Sequence, residues 1–152
     1  MSALALTLHA MHFPHPWRRL RDAAHVTLKW HNEGPMGWCK HSTQEVSIRT
    51  NLTQTERRST LAHELVHLER GPAILGYEEQ EERIVAEEAA RWLIPLEKLA
   101  DGLVWAFDDE ELADLLWVDL ETVQIRLVTL TAEESATVNA TLDRAEMTFP
   151  KF

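Results

Sequence analysis

The strongest constraint on this chain is one helix, marked at both ends and carrying two histidines a turn apart. Thr53-Gln54-Thr55-Glu56 has capping-box spacing, in which the threonine hydroxyl and the glutamate carboxylate satisfy free amides at a helix start. Leu61, Leu65 and Leu68 then recur at helical spacing, and Gly71-Pro72 ends the run. Inside it stands His63-Glu64-Leu65-Val66-His67. Residues four apart differ by about 40° around the helix axis, so both imidazoles point the same way. Zinc takes neutral imidazole nitrogens, and two on adjacent turns can share one ion. Glu64 lies about 60° from His67, within reach of water activated at such a metal without being a ligand. That is the placement of a general base, and the HExxH spacing points to zinc-dependent hydrolysis.

Two ligands do not hold a catalytic zinc. No histidine follows His67, and Arg70 and Ala73 stand where the metzincin extension needs glycine and histidine. The third ligand is therefore a downstream carboxylate or one of the upstream histidines. The acidic run from Tyr77 to Ala90 offers many carboxylates. Glu82 shares a helical face with Val85, Ala86, Ala89 and Leu93, the side expected to pack on the first helix, and Glu78 lies one turn earlier. Glu79, Glu81, Glu87 and Glu88 are expected to face solvent. Ala86 and Ala89 are small enough to let the two helices approach closely. Glu82 is the choice that periodicity favours.

The rest of the chain predicts an α+β fold, a small antiparallel sheet followed by a helical block carrying the HExxH site. Residues 16 to 23 read as a short helix, with Arg18-Arg19-Leu20-Arg21 as its solvated face. His25 to His31 alternates Val26, Leu28 and Trp30 with polar residues, as a half-buried strand does. Gly34-Pro35-Met36-Gly37 is a turn, and strands follow at Trp38 to Lys40 and Glu45 to Thr50. A second helix runs from about Glu78 to Ile94, a third follows Pro95, and two or three more come after Asp108-Asp109. Trp92, Trp105 and Trp117 lie in apolar helical patterns and are expected in the core. One domain over residues 1–152 is expected, with sheet and metal helices over about 25–100 and a C-terminal helical part over about 108–147.

Composition narrows the function. A net charge of -10 argues against broad phosphate-backbone binding, so no direct nucleic-acid contact is expected. The stretch from Leu112 to Leu127 has a helix-turn-helix rhythm, but its second helix offers only Arg126 as a cation. It reads instead as a core-forming pair. The single cysteine, Cys39, excludes an internal disulfide framework and reads as a structural thiol in a strand. Met1 to His9 lacks a basic leader, and no stretch approaches the ~20 apolar residues of a membrane span. A soluble, cytoplasmic protein is the expectation, with no membrane partner.

The run Arg57 to His67 resembles the ImmA/IrrE family of bacterial and phage metallopeptidases, as does Glu82 through Ala89-Ala90-Arg91-Trp92-Leu93-Ile94-Pro95. That family pairs an Ala-His-Glu-x-x-His helix with a second helix of the form Glu-x-x-Ala-Asn-x-Phe-Ala, ending in Leu-Met-Pro. Counting back from Pro95 places its third ligand on Glu82. The family's Ala-Asn is here Val85-Ala86, and its Phe is Glu88. The resemblance covers about residues 25 to 130. It implies a zinc metallo-endopeptidase, often encoded by phages or mobile elements, that cuts a helix-turn-helix repressor. Zinc would sit on His63, His67 and Glu82, with Glu64 as the catalytic base. The strand from Glu45 to Thr50 is a candidate acceptor for a substrate chain added as a further strand. Tyr77 and His41 are unassigned candidates for a second oxyanion donor. The competing reading is a catalytically silent metal-containing interaction module that only holds a repressor. An intact Glu64 argues against it, since a structural zinc site has no use for a base and tends to use four protein ligands.

Overall fold

The computed structural model describes residues 13–149. The reading of Met1 to His9 therefore lies outside the described residues. After a short helix α1 (Pro16–Asp22) come strands β1 (Thr27–His31), β2 (Gly37–Lys40) and β3 (Glu45–Arg49), with a 3-10 turn at His41–Thr43. Six helices follow: α2 (Gln54–Arg70), α3 (Glu78–Leu93), α4 (Leu96–Trp105), α5 (Asp109–Leu116), α6 (Leu120–Val128) and α7 (Ala132–Thr148). This is the expected α+β class, with one correction to the sheet. Its order is β1-β3-β2, with β1 parallel to β3 and β2 antiparallel to it, so the sheet is mixed.

The reason is visible in β3. Val46, Ser47 and Ile48 are all buried, so this strand needs cover on both faces and pairing on both edges. Ser47 is accommodated because its hydroxyl donates to His31 Nδ1 at 2.7 Å, while His31 Nε2 donates to Pro35 O. A central β3 has no free edge, which excludes the Glu45–Thr50 strand as the acceptor for an added chain. The edge strand on the side of the metal helix is β2.

Helix α2 starts as its letters require. Thr53 Oγ1 accepts from Glu56 N at 3.2 Å, and Thr53 N donates to Glu56 Oε2 at 2.9 Å. It ends at Gly71, whose φ of 85° suits a residue without a Cβ and whose amide donates to His67 O. Its two sides face two cores. Leu61, Leu65 and Leu68 pack on Val46, Ile48 and Leu52 of the sheet layer. Ala62 joins Leu93, Leu99, Leu112, Leu116 and Val123 from the later helices. Each fully buried leucine or valine contributes about 1.5–3 kcal/mol, so α2 is held from both directions.

The α5–α6 pair with the helix-turn-helix rhythm is core-forming: Leu112, Ala113, Leu116, Val118 and Val123 are buried. Arg126, its one cation, is only 2% exposed and donates to Ile94 O and Glu134. Arg19 of the basic patch is not simply solvated; it pairs with Glu69 and lies over the Trp92 ring at 4.4 Å. The tryptophan expectation is corrected. Trp105 and Trp117 are exposed, and Trp92 is half-buried at the margin of the core. Short helices with narrow apolar stripes cannot cover an indole on all sides: Trp92 packs against the core margin, Trp117 stacks on Phe13 at 5.7 Å, and Trp105 lies tilted against Phe149 at 6.1 Å. No helix among the described residues is long and apolar enough to cross a membrane.

Candidate metal centre

The sequence-predicted residues His63, His67 and Glu82 come together across the α2–α3 interface. Their ligand-type atoms lie within 4.8 Å of one another. His63 Nε2 donates to Glu82 Oε1 at 2.6 Å, and His67 Nε2 donates to Glu82 Oε2 at 2.8 Å. The two imidazoles stand edge to face, with centroids 4.9 Å apart. The packing that causes this is a small seam of Val66, Val85 and Ala89, where side chains of modest size let the helices meet. Glu82 sits one turn before Val85 on the same face and projects past the seam, 56% exposed, to the rims of both histidines.

Two histidine nitrogens and a carboxylate are the donor set of a catalytic zinc site. Bonds of about 2.0–2.2 Å in a tetrahedron place donor atoms about 3.4 Å apart. The two hydrogen-bonded contacts are tighter than that, and the half-exposed Glu82 side chain has room to withdraw. Burial and the neighbouring His63 lower the His67 pKa, against an opposing pull from Glu82. His67 is thereby biased to the neutral form that binds metal. These residues fit the ion.

Glu64 points from the same helix into the other side of the cluster and is 6% exposed. Its carboxyl is pushed up to about 7, chiefly by burial and then by the Glu82 charge, while a hydrogen bond from the Cys39 thiol opposes the rise. A carboxylate poised near neutrality is suited to taking and returning a proton.

Several site residues had no signal in the letters. Cys39 is half-buried beside Glu64, with its thiol pushed up to about 12 by burial and by that carboxylate, so it is no nucleophile. Gly37 supplies the clearance under Glu64: a Cβ there would stand 2.5 Å from Thr60 Cγ2 and 3.0 Å from Glu64 Cγ and Oε1. Arg70 clamps the two metal helices, donating from Nε to Glu81 at 2.5 Å and from Nη1 to Glu88 at 2.7 Å. Glu81 and Glu88 are thus engaged rather than simply solvated, and Glu87 pairs with Arg91. His41 Nε2 donates to His67 O at 2.9 Å, which ties the end of α2 to the sheet rather than offering a donor to substrate. Tyr77 precedes α3 and is 60% exposed, and it lines neither cavity at the cluster.

Two cavities meet at the cluster. One of about 630 Å³ lies between α2, α3 and α6. The other, of about 360 Å³, lies between β2, α2 and the start of α3. Gly37, His63, Glu64 and Glu82 line both.

Residues 22–128 match the peptidase family model described as the IrrE N-terminal-like domain. No curated protein and no solved structure matches the chain. The match spans well over half of the 152 residues, and the chain belongs to this peptidase family.

Proposed function

We propose that this member of the IrrE N-terminal-like peptidase family is a zinc-dependent endopeptidase that cuts a protein substrate in the cytoplasm. The observation that carries the reading is the convergence of His63, His67 and Glu82, with the buried Glu64 beside them. Bound zinc would supply Lewis acidity, polarising a carbonyl oxygen and acidifying water. His63 and His67 would hold it through neutral nitrogens and Glu82 through its carboxylate.

The protein's own residues account for the remaining steps. Glu64 takes a proton on its carboxylate as water attacks the scissile carbonyl, and returns that proton to the departing amine. Burial keeps the group near neutrality, where both transfers are possible, and Gly37 leaves it room to lie flat against β2. Cavities on both sides of the cluster favour cutting within a chain over trimming an end, because an exopeptidase needs one side closed. The edge strand β2, which contributes Gly37, Trp38 and Cys39 to the smaller cavity, is the strand along which an extended substrate would add. The family resemblance makes a helix-turn-helix repressor, encoded with a phage or mobile element, the substrate class to test first.

Elemental analysis of zinc per chain tests the ligand set. About one zinc in the parent, sharply reduced in Glu82→Ala, is expected. No zinc after reconstitution would sink the metallopeptidase reading, and zinc retained by Glu82→Ala would remove Glu82 as a ligand. Glu64→Gln should keep zinc and lose cleavage; normal cleavage would take the role of base away from Glu64.

A further inference from the structure

The larger cavity opens on one side of the metal group and is closed on its far side by α6, a helix with no part in the site from sequence alone. Its lining includes Thr60, Ala86, Ala89, Ala90 and Ile125, together with the hydroxyl residues Ser59, Thr122 and Thr129. The three alanines keep that face of α3 low, which leaves space between it and α6. Val128 is 81% exposed although it is apolar, and it borders this cavity.

The wall is rigid at both ends. At the start of α6, Asp119 N donates to Ser59 Oγ of the metal helix at 3.1 Å, and Arg58 donates to Trp117 O at 2.7 Å. Toward its end, the buried Arg126 donates to Ile94 O at 3.0 Å, at the close of the other metal helix. A cavity braced in this way is preformed, as recognition pockets usually are, and about 630 Å³ is within their ordinary range. Its lining also carries Glu87, Asp119 and Glu121 against one cation, Arg83.

From this we infer that the cavity receives one large, apolar side chain from a substrate residue flanking the scissile bond, and that Ala86 and Ile125 set its size limit. The inference rests on the peptidase reading, because the metal group at the cavity's open end fixes which bond lies beside the pocket. The mostly apolar lining selects against polar side chains, and its excess of carboxylates over cations excludes acidic ones. One methylene more or less in such a pocket changes selectivity by about 10–200-fold, so single substitutions should be readable.

The test is capture of peptides by zinc-loaded Glu64→Gln protein from a positional-scanning library of blocked octapeptides. The same background carries Ala86→Phe or Ile125→Ala, with zinc content checked in each. Enrichment of Leu, Met or Phe over Asp and Glu at one position, by about tenfold or more, is expected in the background protein. That preference should shift toward smaller side chains in Ala86→Phe and toward larger ones in Ile125→Ala. If Ala86→Phe does not fold, Ile125→Ala decides alone. No apolar enrichment, or one profile shared by all the folded proteins, overturns the inference. Cleavage of the same library by the unsubstituted zinc protein tests the peptidase reading separately. Capture with the expected profile but no cleavage sinks that reading and leaves the pocket standing; cleavage with a flat profile does the reverse.

Discussion

Gly37→Ala is a one-methyl perturbation placed under the candidate base. The added Cβ would stand 2.5 Å from Thr60 Cγ2, where carbon atoms settle at about 3.5–4.0 Å, so about 1 Å of separation must be found. Neither partner yields easily. β2 is paired with β3 along its length, and Thr60 is a buried β-branched residue in the first turns of α2, with a restricted χ1. Overpacking of this kind costs about 1–3 kcal/mol. For a chain of this size that lowers Tm by about 2–12 °C.

The magnitude has an internal control. Thr60→Ser removes the methyl that the new Cβ strikes and leaves the 3.0 Å contacts with Glu64 as the next nearest. Alone, Thr60→Ser costs about 0.8 kcal/mol for the lost buried carbon. In its presence, Gly37→Ala should cost less than about 1 kcal/mol, giving a favourable coupling of roughly 1 kcal/mol or more. Urea unfolding of the four proteins, in chelator so that metal affinity does not enter, reads the cycle directly. Equal cost of Gly37→Ala in both backgrounds would refute the claim that close packing of β2 on α2 explains the glycine.

Three further outcomes follow from the same geometry. Arg70→Met removes the clamp between the metal helices and should weaken zinc affinity about tenfold in competition with a chromogenic chelator, with Arg70→Lys intermediate; unchanged affinity would make the clamp ornamental. Zinc at 100 times its Kd should stabilise the folded chain by about 2.7 kcal/mol, raising Tm by about 5–10 °C, and Glu82→Ala should abolish most of that rise in a thermal scan. Glu134 is held down to about 2 by the Arg126 guanidinium first, then by the Thr131 amide and Arg91. A carboxylate lowered in the folded state stabilises fully above its ordinary pKa of 4.5, and that contribution is lost as pH falls toward 2. The stability gap between parent and Glu134→Gln should therefore be constant at neutral pH and close between about pH 4.5 and 2 in acid titrations; a gap that persists at pH 2 would deny the ion pairs their role.

What was legible in the letters divides along a physical line. The capping box at Thr53, the stop at Gly71 and the histidine spacing are local: each is a relation between residues within one or two helical turns, and the structure shows the helix between those bounds. Glu82 is farther away, yet a 3.6-residue period constrains which carboxylate shares a face with Val85 and Ala89. Strand order does not leave such a trace. Alternation in β1 and β3 identifies strands, but a parallel or antiparallel pairing of the two presents the same pattern of faces. Only the complete burial of Val46, Ser47 and Ile48 reveals which strand is central, and burial is a property of what packs around it.

The same division explains why the site's supporting residues were missed. Gly37 is a turn glycine by its neighbours Gly34 and Pro35, and only the approach of Thr60 and Glu64, more than twenty residues on, gives it a second reason to lack a side chain. Cys39 reads as a strand thiol until β2 is laid against α2, where its hydrogen bond falls on Glu64. Arg70 reads as a surface cation at a helix end, and its forked contacts exist only because Glu81 and Glu88 are two turns apart on the opposing helix. Ile125 is the clearest case. By period it is a marginal core position of a helix whose own buried residues are Val123 and Arg126, and it becomes a cavity wall only when both ends of α6 are pinned to the metal helices. The candidate ligands are legible because a helix repeats every 3.6 residues, which puts His63 over His67 and Glu82 on the face of Val85 and Ala89. The cavity beside the cluster is assembled from elements with no periodic relation to it, which is why Ile125 carries no mark of its place there in the letters.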